Sequence, residues 1–252
     1  MAEPGATGTS SDEGGGHPAV ALVLCALTGL VASAAAVLGV INRPAWHPGT
    51  WFYLVDLADA VVYGIVGYLL LSRTRRAVAW IVSLLALGGG CAALASQWTE
   101  RTVRDPDAPA LNLLQTMQNW AWVPGTLALF TVVPWLVREG PLRPTARTFV
   151  ALGTVGSLGM LLIRWTDPYP WPDGESVLPF AIHNREWAAH ADTVMQWWYA
   201  GVALLGMVAA AHVTVRWSRQ PRDRRRGLGW LAIGTALLSI TFTPLALPER
   251  WV

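Results

Sequence analysis

The chain has 252 residues, of which 53% are hydrophobic and 13% charged, with a formal net charge of +2. A soluble domain carries about 25% charged residues, so most of this surface must face something other than water. The small positive balance argues against nucleic acid as a partner. All 18 basic residues are Arg, which excludes chemistry built on a Schiff-base lysine or a phosphate-loop lysine.

Residues 1–18 are rich in Gly, Ser and acid and have nothing to bury, so they read as a disordered cytoplasmic tail. They contain no Arg or Lys, so the first apolar run reads as a retained helix rather than a signal peptide. A spanning helix needs about 20 mostly apolar residues. Seven segments qualify: Ala19–Ile41, Phe52–Leu71, Ala77–Ser96, Leu113–Val137, Thr148–Ile163, Thr193–Val215 and Leu228–Leu247. The fifth is short and is expected to extend through Arg164 and Trp165, whose side chains can reach the interface. The fourth carries Pro124 and Pro134, which remove helical N–H donors and predict kinks. The expected fold class is an all-α polytopic membrane protein, a bundle of about seven transmembrane helices over 19–247. A short C-terminal tail occupies 248–252.

Arginine placement predicts the orientation. The loops 72–76 and 138–147 and the segment 216–227 together carry twelve Arg. This side is expected to be the cytoplasm, with the N-terminus inside and the C-terminus outside a bacterial plasma membrane. Trp80, Trp135, Trp217 and Trp230 fall at the inner helix ends, and the remaining Trp fall in outer loops or outer helix halves. The longest polar connections, 97–112 and 164–192, are both expected outside.

Ionisable residues within spans are the default candidates for function. Asp56 and Asp59 share one face of the second helix, close enough to repel if both are charged. Gln115, Gln118 and Asn119 share a face of the fourth, and Arg164 ends the fifth on the same side. These six predict an outward-opening polar pocket that senses a ligand or protons. The plainer reading places the aspartates near headgroups, or in one Arg pair and some interhelical hydrogen bonds.

The histidines offer no facing pair at matched depth, so no haem, metal or other cofactor is expected. His183, His190 and Asp192 form at most an outer sensor, and such loop residues are usually solvated. Cys25 and Cys91 read as buried small hydrophobes rather than a disulfide. Gly88–Gly90, Gly153, Gly156, Ser157 and Gly159 predict close helix approach. The Arg run 216–226 reads as a topology anchor and a contact for anionic headgroups. No G-x-S-x-G, H-E-x-x-H, C-x-x-C or phosphate loop is present, so no catalytic residue is expected.

Three stretches resemble the membrane-embedded N-terminal region of actinobacterial two-component sensor histidine kinases. Asn119–Pro144 is similar to a family helix of the type N-W-x-W-V-P-G followed by a cytoplasmic turn. The 179–198 region resembles the family's last outer loop, and Arg222–Leu237 its basic turn and the start of its final span. The turn Val137-Arg138-Glu139-Gly140 departs from the family's Phe-Pro-Asp-Gly type. The resemblance implies a signal-transduction module, a homodimer, and a separate kinase or response regulator as partner. No phosphoacceptor His box or ATP lid follows the last helix, so kinase activity would require a further C-terminal domain. A truncated kinase with a missing eighth span, a free-standing relative and a split gene are all consistent with this. Two other readings stand beside it: a small-molecule transporter lined by Asp56, Asp59 and the kinked fourth helix, and a structural membrane component.

Overall fold

A computed structural model describes residues 16–45, 48–74, 76–105, 107–109, 111–138, 141–167, 182, 185–221 and 225–246. The N-terminal tail before residue 16, the proline-bearing stretch 168–181, His183 and the C-terminal tail lie outside the described residues.

Among the described residues the chain is all helical. In order they are α1 Pro18–Asn42, α2 Pro48–Leu71, α3 Ala77–Arg104, α4 Asn112–Trp120, α5 Val123–Thr131, α6 Val133–Leu136, α7 Pro144–Thr166, α8 Arg185–Arg219 and α9 Arg225–Phe242. A 3-10 turn, Pro244–Ala246, follows. Six helices are long and apolar enough to cross a membrane: α1, α2, α3, α7, α8 and α9. The molecule is therefore a multipass helical membrane protein.

The fourth apolar run is broken twice, each time just ahead of a proline. Ala121 and Trp122 form a turn before Pro124, and Val132 interrupts the helix before Pro134. Each proline lacks the N–H that would bond the carbonyl four residues earlier, so the helix bends there. The chain keeps right-handed helical dihedrals through both breaks (φ −64°, ψ −35° at Ala121), which makes them kinks rather than loops.

Some helices run past their apolar stretches. α3 continues to Arg104, about two turns beyond Ser96, into a region expected to be a polar connection. Two i,i+4 ion pairs support this extension, Glu100–Arg104 at 2.7 Å and Arg101–Asp105 at 2.6 Å. Both are substantially exposed, so each contributes only about 0.3–0.5 kcal/mol. α8 begins at Arg185, well before Thr193. α7 extends through Arg164 and Trp165 as expected.

The helices form two groups. α1, α2 and α3 pack on one another, and α7, α8 and α9 form the second group. The kinked α4–α6 segment lies between them, touching α3 on one side and α7, α8 and α9 on the other. It runs antiparallel to α3: Gln115 meets Thr102, the Ala121 carbonyl meets Gly88, and Gly125 meets Leu85. Arg73, Arg76, Arg138, Arg143, Arg147, Arg216, Arg219 and Arg225 thus gather at one end of the bundle, called the Arg-rich end below.

α3 is the buried hub. Its apolar window is 56% buried, against 22% for α1 and α2, whose outer faces carry exposed Leu, Val and Ile. Three successive glycines let neighbours approach it from different sides. A Cβ on Gly88 would collide with the Ala121 carbonyl oxygen, and one on Gly89 would sit 2.9 Å from the Asp56 carbonyl oxygen. One on Gly90 would sit 3.5 Å from Ala60 Cβ and from Val31. Across the seam, Gly125 presses directly on the Leu85 backbone. Close packing of small residues, rather than exclusion of water, holds helices together in lipid.

In the second group, Val123, Leu127 and Phe130 of α5 are fully buried against Met160, Tyr199, Val202 and Phe242. Gly159 lies under Trp198, whose indole N–H donates to the Gly156 carbonyl at 2.8 Å. Ser157 is buried and donates to the Gly153 carbonyl at 2.8 Å. Cys25 and Cys91 are not joined in a disulfide.

Candidate functional site

The six polar residues expected to share a pocket lie on α2, α4 and α7, and the α4 and α7 residues flank a contact between the Trp120 and Trp165 rings at 5.5 Å. Asp56 and Asp59 lie one helical turn apart on α2, half-buried, against the Gly89 side of α3. The absent side chain at Gly89 makes room for them: a Cβ there would stand 3.4 Å from Asp59 Cβ. Neither carboxylate has a hydrogen-bond or ion-pair partner among the described residues. Such a pair within an apolar helix is costly to maintain, so it is the least expected feature of α2.

The α4 residues lie elsewhere. Gln115 is buried, and its Nε2 donates to Thr102 Oγ1 of α3 at 2.9 Å. Gln118 is half-buried, and its backbone carbonyl accepts the Trp122 indole N–H at 3.2 Å. Asn119 is half-buried on the next position. Among the described residues α2 packs only on α1 and α3, so α3 stands between the aspartates and these amides.

Arg164 belongs to the second group. Its Nη2 donates to the Tyr199 hydroxyl at 3.0 Å, and its guanidinium lies 5.8 Å from the centre of that ring. Its Nε is buried without a hydrogen-bond partner among the described residues. Asp167, the residue after α7, is buried close by. Burial pushes its carboxyl above the usual carboxylate range, Arg164 opposes the rise, and Asp192 adds to it. Trp187 closes this end by donating its indole N–H to the Thr166 carbonyl at 3.2 Å.

One polar contact was not visible in the local sequence pattern. Asn42, the last residue of α1, is buried and donates through Nδ2 to the Gln97 carbonyl at 2.7 Å and to Gln97 Oε1 at 3.2 Å. Gln97 is equally buried, and Arg104 donates to the Asn42 carbonyl. This cluster ties the end of α1 to α3 next to the Gln115–Thr102 bond. An Asn at a helix end ordinarily signals a cap, so nothing local announces a partner 55 residues away.

His190 Nδ1 lies 2.8 Å from the Glu186 carbonyl of its own helix, and His212 stacks on Trp135 at 4.3 Å. No group of three His, Cys, Asp or Glu among the described residues is placed to hold a metal ion. Two grooves face outward. One, of about 300 Å3, lies between α1 and α2 and is lined by Cys25, Thr28, Gly29, Ala32 and Ala60 among others. The other, of about 580 Å3, lies between α7 and α8 beside Trp197 and Gly201. Neither contains any of the six expected residues.

Comparison with known proteins finds no matching family model, no similar curated protein and no similar solved structure.

Proposed function

We propose that the chain is a membrane-embedded signal-input module, of the kind that precedes the kinase domain in two-component sensors. The supporting observation is the kinked α4–α6 segment, which joins the two helix groups and whose α5 and α6 fall within Asn119–Pro144, one of the three stretches that resemble those sensors. A segment packed on both groups transmits a change in one to the other, provided a stimulus binds two arrangements with different affinity. In this reading α4–α6 is the fourth of seven spans. Gln115 at one end of α3 and the Arg216–Val137 bond at the Arg-rich end support a full crossing. The Arg-rich end faces the cytoplasm, with the start of α1 inside and the end of α9 outside.

Asp56 and Asp59 form the sensing element for protons or a cationic ligand, and a partner kinase or response regulator carries the output. The transporter reading has weaker support, because α3 separates the two sides of the path it requires. Affinity purification of the tagged chain from its native membrane is expected to retrieve a histidine kinase or response regulator. Reconstitution into pyranine-loaded vesicles separates the alternatives. A pH-gradient-driven proton flux abolished by Asp56→Asn or Asp59→Asn, with no kinase retrieved, would overturn signalling in favour of transport.

A further inference from the structure

The Arg-rich end contains a notch that the signal-input reading leaves unused. Arg216 of α8 donates Nη1–H to the Val137 carbonyl at 2.9 Å, which places its guanidinium beside Arg138, just past α6. The two guanidiniums and the His212 imidazole lie within electrostatic range of one another. Both arginines are half-buried. The ion pairs found among the described residues lie at the opposite end of the bundle, on α3. Behind the notch, His212 stacks on Trp135 and Trp135 on Phe149 at 4.5 Å. Trp135 is buried, and its indole N–H has no acceptor among the described residues.

Two partly desolvated guanidiniums held side by side repel, and an anion between them reverses the sign of that interaction. The planar fork of Arg matches phosphate oxygens in pairs, which a single point charge cannot do. The depth fits a headgroup as well. Trp80, Trp217 and Trp230 at this end are 42%, 39% and 75% exposed, as in an interfacial Trp belt. Val215, 47% exposed one residue before Arg216, offers apolar surface where acyl chains would begin.

We propose that Arg138, Arg216 and His212 form a phosphate-binding notch occupied by the headgroup of an anionic phospholipid. The site lies between α6 and α8, so the bound headgroup bridges the kinked segment and the second helix group. The proposal does not depend on the signalling reading.

The test is native mass spectrometry of the detergent-solubilised full chain, with phosphatidylglycerol, phosphatidylcholine or inorganic phosphate added. Phosphatidylglycerol is expected to be retained over phosphatidylcholine. Arg138→Gln, which removes no hydrogen bond seen among the described residues, is expected to weaken retention about fivefold, and Arg138→Gln with Arg216→Gln about tenfold or more. Arg219→Gln, an exposed arginine outside the notch, serves as the control and is expected to leave retention unchanged. Retention of inorganic phosphate with no lipid preference, lost in Arg138→Gln, would assign the same chemistry to free phosphate and overturn the lipid assignment. Equal retention by the parent, Arg138→Gln and Arg219→Gln would overturn the notch. A thermal melt of each variant identifies loss of binding that comes only from unfolding.

Discussion

Gly125 of α5 presses directly on the backbone of Leu85 in α3, leaving no space for a side chain at the seam between the two helix groups. Gly88 meets the Ala121 carbonyl on the same seam. Backbone contact of this kind cannot relax by moving a flexible side chain, so any added atom must separate the helices. Gly125→Ala is expected to cost about 1–3 kcal/mol through overpacking, read as a lower melting temperature in detergent. Gly201→Ala is the control, because a Cβ there meets nothing within 4 Å. It is expected to change stability by less than about 0.5 kcal/mol.

The Asn42–Gln97 pair predicts non-additive substitutions. Asn42→Leu leaves Gln97 Oε1 buried without its donor and removes a further bond to the Gln97 backbone carbonyl, a cost of about 1–3 kcal/mol. Gln97→Leu removes Oε1 but leaves the backbone carbonyl to accept from Asn42 Nδ2, so it is expected to cost less. The double variant is expected to lose clearly less than the sum of the two, because the second substitution removes the group that the first left unpaired. A double-mutant cycle from thermal or denaturant unfolding measures that coupling, and strict additivity would remove the pair from the structural account.

Asp56→Asn and Asp59→Asn are expected to insert normally and to melt no lower than the parent. Each replaces a carboxylate that has no partner among the described residues, within a helix where charge is costly. Membrane fractionation and a melt in detergent check this. A drop of more than about 1 kcal/mol in either variant would show that the carboxylate makes a structural contact.

Asp167 carries a pH dependence with a definite sign. Burial raises its folded-state pKa above the ordinary aspartate value of 3.8. The folded state therefore binds the proton more tightly than the unfolded chain, and the contribution favours folding most at low pH. It is lost as pH rises from about 4 through the raised folded value. Asp167→Asn is expected to flatten this part of the stability profile and to raise the melting temperature near neutral pH. A variant whose profile parallels the parent's from pH 4 to 8 would remove Asp167 as its source.

Apolar run length and proline position made most of the helical fold legible. Pro124 and Pro134 mark the two kinks because the loss of an N–H is a local covalent fact. The extensions of α3 to Arg104 and α8 back to Arg185 were hidden, since hydropathy reports where lipid begins rather than where a helix stops. The candidate site was legible only in its parts. Asp56, Gln115 and Arg164 each announce themselves as polar residues in apolar helices. Their separation depends on which helix α3 turns toward which neighbour, and Gly88 and Gly89 decide that through side chains they do not have. Depth separates them too: Asp56 packs at Gly89 of α3 and Gln115 at Thr102, about 20 Å further along that helix.

The kinked segment also constrains the order of assembly. In the proposed seven-span arrangement, a helix interrupted at Pro124 and Pro134 carries backbone carbonyls that lipid cannot satisfy, so it is stable in the bilayer only when enclosed by protein. Val123, Leu127 and Phe130 are in fact fully enclosed, by helices that include α7 and α8, which are synthesised after it. In that arrangement its enclosure is complete only once α7 and α8, from the second half of the chain, have packed around it.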